Sequence, residues 1–199
     1  MNRSLLMQYL KDDVKEAIVR SALMEFKSKS YLEASMRTIA KNAGITAGNI
    51  YRYFQSKDDL FNYIMDPVWK DVTRIIFDNY EYTEDFFPIT EIINSIMYIY
   101  KRFNAELFIL LNNSKGSKYE NVKERLVSLI SKRLEDEMAP FFKADNREVK
   151  DTFIFNIISN AVVESIYLIM KECGDDYVRV EALTKQMITV FAKDLYHRL

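Results

Sequence analysis

The chain has 199 residues, of which 49% are hydrophobic, and it contains only four glycines and three prolines. This composition favours long helices with short connections, and the length suffices for one large domain or for a small domain and a larger one. We find no apolar run long enough to span a bilayer. The single cysteine, Cys173, excludes an internal disulfide framework and is typical of a reducing cytoplasm.

The formal net charge is −1, but its distribution along the chain is uneven. Residues 1–60 contain 10 Lys/Arg and 7 Asp/Glu, whereas residues 61–199 contain 18 and 22. A basic excess confined to one segment is what a localised contact with nucleic-acid phosphates requires. The charge pattern favours DNA binding near the N-terminus.

Two helices are predicted before residue 45. The first covers residues 11–29, where apolar residues recur every four positions: Val14, Ile18, Ala22 and Phe26. Ser35 is the predicted N-cap of the second helix. The second helix ends at Gly44, because glycine readily takes the left-handed conformation that helix ends often need.

The stretch from Thr38 to Lys57 is typical of a helix-turn-helix. Thr46 has a hydroxyl that can cap the next helix, the recognition helix, which we predict over residues 47–54. Ile50 and Phe54 lie four residues apart on its buried face. The outward positions are small residues, one amide, two tyrosines and one arginine, a set suited to a DNA major groove: Ala47, Gly48, Asn49, Tyr51, Arg52 and Tyr53.

The order of residue types at 31–40, 44–48, 50–54 and 56–57 resembles the TetR family of bacterial transcriptional regulators. The resemblance covers roughly residues 10–65, with Ser30 standing where the family usually has glycine. It implies an all-α fold with an N-terminal three-helix DNA-binding domain followed by a larger helical domain for effector binding and dimerisation. We place these domains at residues 1–60 and 61–199.

The predicted DNA contacts fall into two groups. Base contacts are assigned to Thr46, Ala47, Gly48, Asn49 and Arg52. Contacts to the DNA backbone, which the resemblance supports, are assigned to Ser35, Arg37, Thr38, Tyr51, Tyr53 and Lys57. Arg52 is the best candidate for reading a guanine, and it is a phosphate contact if its side chain turns away from the bases. Lys57 is a cation at the positive start of a helix capped by Ser56, a position that an opposing DNA phosphate would explain.

The fourth helix is predicted from residue 57 to residue 80, with Pro67 inside it. Proline either kinks the helix at the joint between the domains, or the helix ends at Met65 and restarts with Pro67 in its first turn. Residues 81–88 are predicted as an acidic, aromatic loop. Later helices are predicted over residues 89–103, 105–111, 119–138 (stopped by Pro140), 149–172 and 177–199, with a loop at 112–117.

The helix at 149–172 is apolar nearly all round, so it needs cover on every side. Pairing of the last two helices with their copies in a second subunit would supply it as a four-helix interface. The resemblance implies the same homodimer. Two recognition helices about 34 Å apart would then read a palindromic operator.

Four polar residues share one face of that helix: Asn156, Asn160, Glu164 and Tyr167. This face meets solvent, a subunit interface or a ligand cavity. The resemblance suggests a small, largely apolar effector, and the candidate contacts are Trp69, Tyr98, Phe103, Phe108, Phe155, Asn156, Asn160 and Tyr167. Aromatic residues at helical spacing are, however, more often simple core.

Catalysis is not expected, because the only histidine, His197, lies near the chain end and no catalytic or metal-binding motif is present. We therefore expect no cofactor and no metal. The sequence predicts a dimeric, cytoplasmic DNA-binding regulator, with an effector-released repressor as the preferred form. The alternatives are an activator, a regulator that answers to a protein partner, and a helical interaction module with a vestigial helix-turn-helix.

Overall fold

The computed structural model describes residues 3–77, 88–144, 148–193 and 199. Every regular element among these residues is an α-helix, which confirms the predicted all-α class. The helices are α1 (Arg3–Glu33), α2 (Met36–Asn42), α3 (Ala47–Ile50), α4 (Lys57–Phe77), α5 (Ile89–Asn112), α6 (Val122–Ala144), α7 (Phe153–Cys173) and α8 (Tyr177–Ala192).

The chain divides into two compact units. The N-terminal unit consists of Met1–Trp69 and Ala105–Glu120, and the C-terminal unit consists of Lys70–Asn104 and Asn121–Leu199. The N-terminal unit thus extends beyond the predicted range 1–60 and includes a second, distant segment. Local patterns could not reveal this segment, because aromatic and hydrogen-bond contacts between distant residues hold it in place.

The N-terminal unit has an apolar core that the predicted helix faces supply. Ile18, Ala22 and Phe26 of α1 have no exposed surface. Phe61 of α4 packs edge-on against Phe26, with ring centroids 4.9 Å apart, and against Tyr31 at 4.7 Å. The first helix and its apolar stripe are confirmed, although α1 begins at Arg3 and not at residue 11.

Ser30 interrupts α1 close to its end. Its φ of 71° and ψ of 165° are not helical, and φ lies in the range that favours glycine. The chain turns here, and the next N–H, that of Tyr31, donates to the carbonyl of Asn113 at 2.7 Å. The position where the TetR resemblance calls for glycine therefore has a backbone conformation that glycine adopts without strain.

Neither Pro67 nor Pro140 ends a helix. α4 runs without interruption through Pro67, so the alternative of a restart after Met65 is wrong. α6 continues past Pro140 to Ala144, so the predicted stop is also wrong. Proline removes one backbone hydrogen bond, and the burial of Met65, Val68 and Met138 beside these sites keeps both helices packed.

The break predicted between residues 103 and 105 lies inside α5. Phe103 has φ −134° and ψ 36°, which separates two helical stretches. The loop predicted at 112–117 is confirmed from residue 113 onward. The predicted helix at 78–80, the predicted loop at 81–87 and the tail that contains His197 lie outside the described residues.

The prediction that no apolar run is long enough to span a bilayer is wrong for α7. By length and composition it could cross a bilayer, with a mean hydropathy of 1.7 over an 18-residue window, of which only 22% is buried in this protein. Inspection of the sequence missed this helix as a possible membrane span because polar residues such as Asn156, Asn160 and Glu164 interrupt its apolar run. One such helix is weak evidence for a membrane span. What it does show is an apolar surface that the single chain leaves uncovered.

Candidate nucleic-acid interface

The start of α2 is fixed by two side chains. The hydroxyl of Ser35, the N-cap, accepts a hydrogen bond from the N–H of Thr38 at 3.5 Å, as predicted. Glu25 of α1 is buried, and its carboxylate accepts from the N–H of Ser35 at 3.2 Å and pairs with Lys29 at 3.3 Å. Sequence reasoning missed Glu25. The sequence did contain a signal, because Glu25 lies seven residues after Ile18 and therefore on the same, buried face of α1.

The recognition segment, residues 46–54, begins with the predicted cap, but its α-helix is shorter than predicted. Thr46 accepts from the N–H of Asn49 at 3.2 Å. α3 ends at Ile50, not at residue 54, and the chain then continues in tight turns. The N–H of Arg52 donates to Asn49 at 3.1 Å and that of Tyr53 donates to Ile50 at 3.0 Å, both with i→i+3 spacing.

Burial divides this segment as predicted. Ile50 and Phe54 are buried. Around them, the exposed members of the predicted DNA-binding set are Arg37, Thr46, Ala47, Gly48, Tyr51 and Arg52, and the half-buried members are Ser35, Thr38, Asn49, Tyr53 and Lys57. All eleven belong to the N-terminal unit and keep some accessible surface.

An open concavity of 440 Å³ lies beside the recognition segment. Its lining residues are Arg37, Thr38, Lys41, Ile45 and Ala47. The structure thus brings together three predicted DNA contacts from α2 and α3. Sequence reasoning missed Lys41, although its position four residues after Arg37 places both cations on one face of α2.

Lys57 has partners within the protein. Its ammonium donates to the carbonyls of Leu32 at 3.1 Å and Ala34 at 3.2 Å, and it lies 4.6 Å from the ring centroid of Tyr31. The carbonyl groups that follow a helix are partners that lysine often takes. The electrostatic argument for an opposing phosphate therefore fails, because these two carbonyls stabilise the Lys57 ammonium at the start of α4 without a phosphate. The phosphate contact itself stays a prediction.

The start of α4 is capped as predicted and is tied to α1. Ser56 accepts from the N–H of Asp59 at 3.0 Å, and the Asp59 carboxylate accepts from the N–H of Gln55 at 2.9 Å. The Tyr31 hydroxyl donates to Asp58 at 2.6 Å. Burial, followed by this hydrogen bond and the negative charge of Asp58, raises the pKa of Tyr31 to about 12.

The segment after α5 braces the same unit. The side-chain amide of Asn113 donates to the carbonyls of Phe26 and Lys27, both at 2.9 Å. The Tyr119 hydroxyl donates to Asp66 of α4 at 2.6 Å, and Lys118 pairs with the same carboxylate at 2.7 Å. Burial alone would raise the pKa of Asp66, but the hydrogen bonds from Lys118 and Tyr119 outweigh it and hold this pKa below its usual value.

The predicted effector contacts are divided between the two units. Trp69 and Phe108 belong to the N-terminal unit, and the others belong to the C-terminal unit: Tyr98, Phe103, Phe155, Asn156, Asn160 and Tyr167. Phe155 packs with Leu134 and Met138 in a core cluster. Tyr98 and Asn160 are exposed. This set stays a prediction, and core packing accounts for Phe155 without a ligand.

The polar face of α7 meets solvent and a lysine of α6. Asn160 is exposed. The Glu164 carboxylate pairs with Lys123 at 2.9 Å, and the same ammonium lies 3.9 Å from the ring centroid of Tyr167. An ion pair between helices was not among the three environments that we considered for this face.

An all-helical protein with a capped helix-turn-helix and a larger helical unit has the architecture of helix-turn-helix regulators. Residues 18–64 match the family model described as bacterial regulatory proteins, tetR family. This match confirms the resemblance seen in the sequence.

Three solved structures extend the likeness to most of the chain. A tetR-family transcriptional regulator from Streptomyces coelicolor is 13% identical, with a TM-score of 0.59 over 90% of this chain and 79% of that one. The fatty acid degradation regulator FadR from Bacillus halodurans is 20% identical, with a TM-score of 0.56 and coverages of 90% and 94%. SmeT, the repressor of the Stenotrophomonas maltophilia multidrug efflux pump SmeDEF, is 11% identical, with a TM-score of 0.56 and coverages of 90% and 90%.

SmeT is also known in complex with triclosan, and that structure has a TM-score of 0.55 to this chain. At these low identities the comparisons show a shared fold. The chain thus has the fold of TetR-family transcriptional regulators along most of its length.

Proposed function

We propose that the protein is a sequence-specific DNA-binding transcriptional regulator that acts as a homodimer in the cytoplasm and has no catalytic role. The observation that carries this proposal is the recognition segment. Its two large apolar residues, Ile50 and Phe54, are buried, while Thr46, Ala47, Gly48 and Arg52 are exposed. Small residues allow a close approach to DNA, and an exposed arginine can bind a guanine or a phosphate.

The homodimer is supported by the uncovered surface of α7. Phe153, Ile157 and Leu168 are 61%, 52% and 52% exposed. Their spacing of four and eleven residues places them on one face of the helix. Large apolar side chains exposed in a row favour association with a complementary surface. We propose that α7 and α8 pair with their copies in a second subunit, which would present two recognition segments to a palindromic operator.

The proposed regulatory sign is repression, relieved by a small, largely apolar effector. The support is the fold shared with SmeT, a repressor that forms a complex with triclosan. In this chain the effector would bind in the helical C-terminal region, where most of the candidate contacts lie. Release of bound DNA by an apolar compound tests this part, and failure of all compounds would favour a regulator that answers to a protein partner.

Selection from a pool of random duplexes tests DNA reading and identifies the operator sequence in the same experiment. The purified full-length chain is incubated with the pool at near-physiological salt and excess non-specific competitor. We expect enrichment of a palindrome whose half-sites lie about one helical turn apart. No enrichment, together with no duplex binding even at low salt, would refute the proposal and favour the interaction module.

A second measurement separates base contacts from backbone contacts. Asn49→Ala should reduce the preference between the selected duplex and its single-base variants, because a side-chain amide distinguishes bases by paired hydrogen bonds. Tyr51→Phe should weaken binding to all of these duplexes alike, because it removes a hydroxyl that is assigned to the backbone. Unchanged relative affinities for Asn49→Ala would show that the base-contact assignment is wrong.

A further inference from the structure

The C-terminal end of the recognition segment is held by side chains from two other helices. The N-terminal end is fixed by the Thr46 cap, but α3 ends at Ile50. Beyond Ile50 the chain continues in tight turns, and the N–H groups of Tyr53 and Phe54 both donate to the Ile50 carbonyl at 3.0 Å. A single helical turn is not stable alone. The position of this end therefore depends on what surrounds the Phe54 side chain.

The Phe54 ring has one aromatic neighbour and one cationic neighbour. Tyr63 of α4 packs edge-on against it, with ring centroids 5.3 Å apart and ring planes inclined by 61°. The ammonium of Lys15, from α1, lies 4.0 Å from the Tyr63 centroid and 5.5 Å from the Phe54 centroid. Both distances lie within the roughly 6 Å over which a cation and a ring face attract each other. Lys15 thus joins three elements: α1, the recognition segment and α4.

The surroundings of Lys15 strengthen this attraction. Lys15 lies three residues before the buried Ile18 and is itself half-buried, at the edge of the apolar face of α1. It forms no ion pair with any residue that the structure describes. Cation–ring attraction is stronger where water is partly excluded. The two rings are therefore the contacts that keep this cation in place.

Other lysines of the N-terminal unit that lie over rings differ from Lys15. Lys57 donates to two backbone carbonyls, and Lys118 pairs with a carboxylate, so each has a partner besides its ring. Lys27 lies 5.8 Å from the centroid of Phe108, a ring outside the recognition segment. Lys15 is the lysine among these four that contacts a ring of the recognition segment.

We propose that Lys15 is a positioning residue for DNA reading, which holds the C-terminal end of the recognition segment through the rings of Phe54 and Tyr63. Residues 51–53, which directly precede Phe54, are all proposed DNA contacts. Two of them, Tyr51 and Arg52, are exposed, so their direction depends on the backbone that Phe54 anchors. Lys15 itself does not contact the DNA in this role. The inference rests on the proposed function.

Hydrogen exchange of backbone amides measures the anchoring without DNA. Lys15→Met keeps an unbranched apolar side chain and removes the charge. The amides of Tyr53 and Phe54 should then exchange about 2- to 5-fold faster, the factor expected when a partly exposed cation–ring attraction is lost. Lys15→Arg should restore the wild-type rates, because a guanidinium also binds ring faces. The matched control is Lys27→Met, the same change on the same helix, which should leave both amides unchanged. Unchanged rates in Lys15→Met would overturn the inference.

A double-mutant cycle tests whether the rings are responsible. Tyr63→Leu removes the ring nearer to the ammonium. In this background Lys15→Met should accelerate exchange by a smaller factor than in the wild type, because residues in contact are not additive. An equal factor in both backgrounds would show that Lys15 acts through another contact, and the inference would be wrong. All variants should keep the wild-type circular dichroism, because Lys15 is half-buried and Tyr63 is 49% exposed.

DNA binding distinguishes a positioning residue from a direct contact. The affinity of Lys15→Met for the selected duplex should fall by up to about 5-fold, because binding must restore the order that the variant has lost. Its preference over single-base variants should fall as well. The slope of log affinity against log salt should stay the same, because no phosphate contact is removed. A slope reduced by about 1 would assign Lys15 to a phosphate and would overturn the inference. Lys27→Met should keep the wild-type affinity, preference and slope.

The outcomes separate the two proposals. Suppose that the wild type selects a duplex, and that Lys15→Met exchanges faster but keeps the wild-type affinity and base preference. Lys15 then has a structural role only, so the inference is wrong and the proposed function stands. If the wild type selects no duplex and binds none at low salt, both are wrong.

Discussion

Ser30→Gly should stabilise the protein, because Ser30 has a backbone conformation that an L-residue adopts only under strain. Its φ of 71° and ψ of 165° lie close to a region occupied almost only by glycine. The conformation is held from both sides, since the next residue, Tyr31, donates its N–H to Asn113. The Ser30 carbonyl also accepts from the N–H of Ala34 at 3.1 Å. The fold therefore imposes this turn whichever residue occupies the position.

The size of the effect follows from two opposing contributions. Residues in sparsely populated backbone regions cost about 1–3 kcal/mol each, and glycine removes that cost. Glycine also gives the unfolded chain more freedom, which costs about 0.5–1 kcal/mol. The net gain in the free energy of unfolding is up to about 2.5 kcal/mol, with a midpoint of about 1 kcal/mol. For a chain of this length, each kcal/mol corresponds to about 2–4 °C in the unfolding midpoint, so we expect a rise of a few degrees.

Thermal unfolding followed by circular dichroism, at equal protein concentration, measures this change. The matched control is Ser28→Gly, two residues earlier in the helical part of α1, where Ser28 is exposed. There glycine has no strain to relieve and should destabilise by about 0.5–1 kcal/mol. Ser30→Ala, which keeps the Cβ atom, should not reproduce the gain. If Ser30→Gly lowers the midpoint as Ser28→Gly does, the strain argument is refuted.

Three further substitutions test the contacts that brace the N-terminal unit. Tyr31→Phe should cost about 1.5–3 kcal/mol at pH 8 through the lost bond to Asp58. It should also abolish the part of the stability that the wild type loses as pH rises from 10 towards 12, the folded pKa of Tyr31. Asp66→Asn should cost under about 1 kcal/mol at pH 7, because the ion pair is half exposed. That difference should vanish as pH falls below the usual carboxyl pKa of 3.8. Asn113→Ala should cost about 1–3 kcal/mol through the loss of two hydrogen bonds, to the carbonyls of Phe26 and Lys27. Urea unfolding at each pH measures all three.

The features that sequence reasoning placed correctly are those decided within a few residues. The caps at Ser35, Thr46 and Ser56 are confirmed because each joins a hydroxyl to an N–H three residues ahead. The buried pair Ile50 and Phe54 is confirmed because its four-residue spacing fixes a helix face. Local chemistry alone determines such features, so one sequence suffices to predict them.

The features that it missed depend on residues distant in the sequence. Glu25 binds Ser35 ten residues away, and Asn113 binds Phe26 across 87 residues. No periodic pattern of residues in the sequence indicates either contact. Pro140 failed as a stop signal for a related reason, because tertiary packing of the helix around Met138 outweighs one lost hydrogen bond. Lys57 shows that an apparently unpaired charge can have backbone partners from another part of the chain.

The short length of α3 means that the rest of the N-terminal unit must hold the proposed DNA-reading surface in place. A helix of four residues is not stable alone, because the hydrogen bonds that it gains do not offset the cost of starting it. Its orientation therefore depends on the Thr46 cap and on the burial of Ile50 and Phe54 against the rest of the N-terminal unit. That unit includes residues 105–120. We therefore predict that Asn113→Ala lowers the affinity for the selected duplex, although Asn113 is not among the proposed DNA contacts.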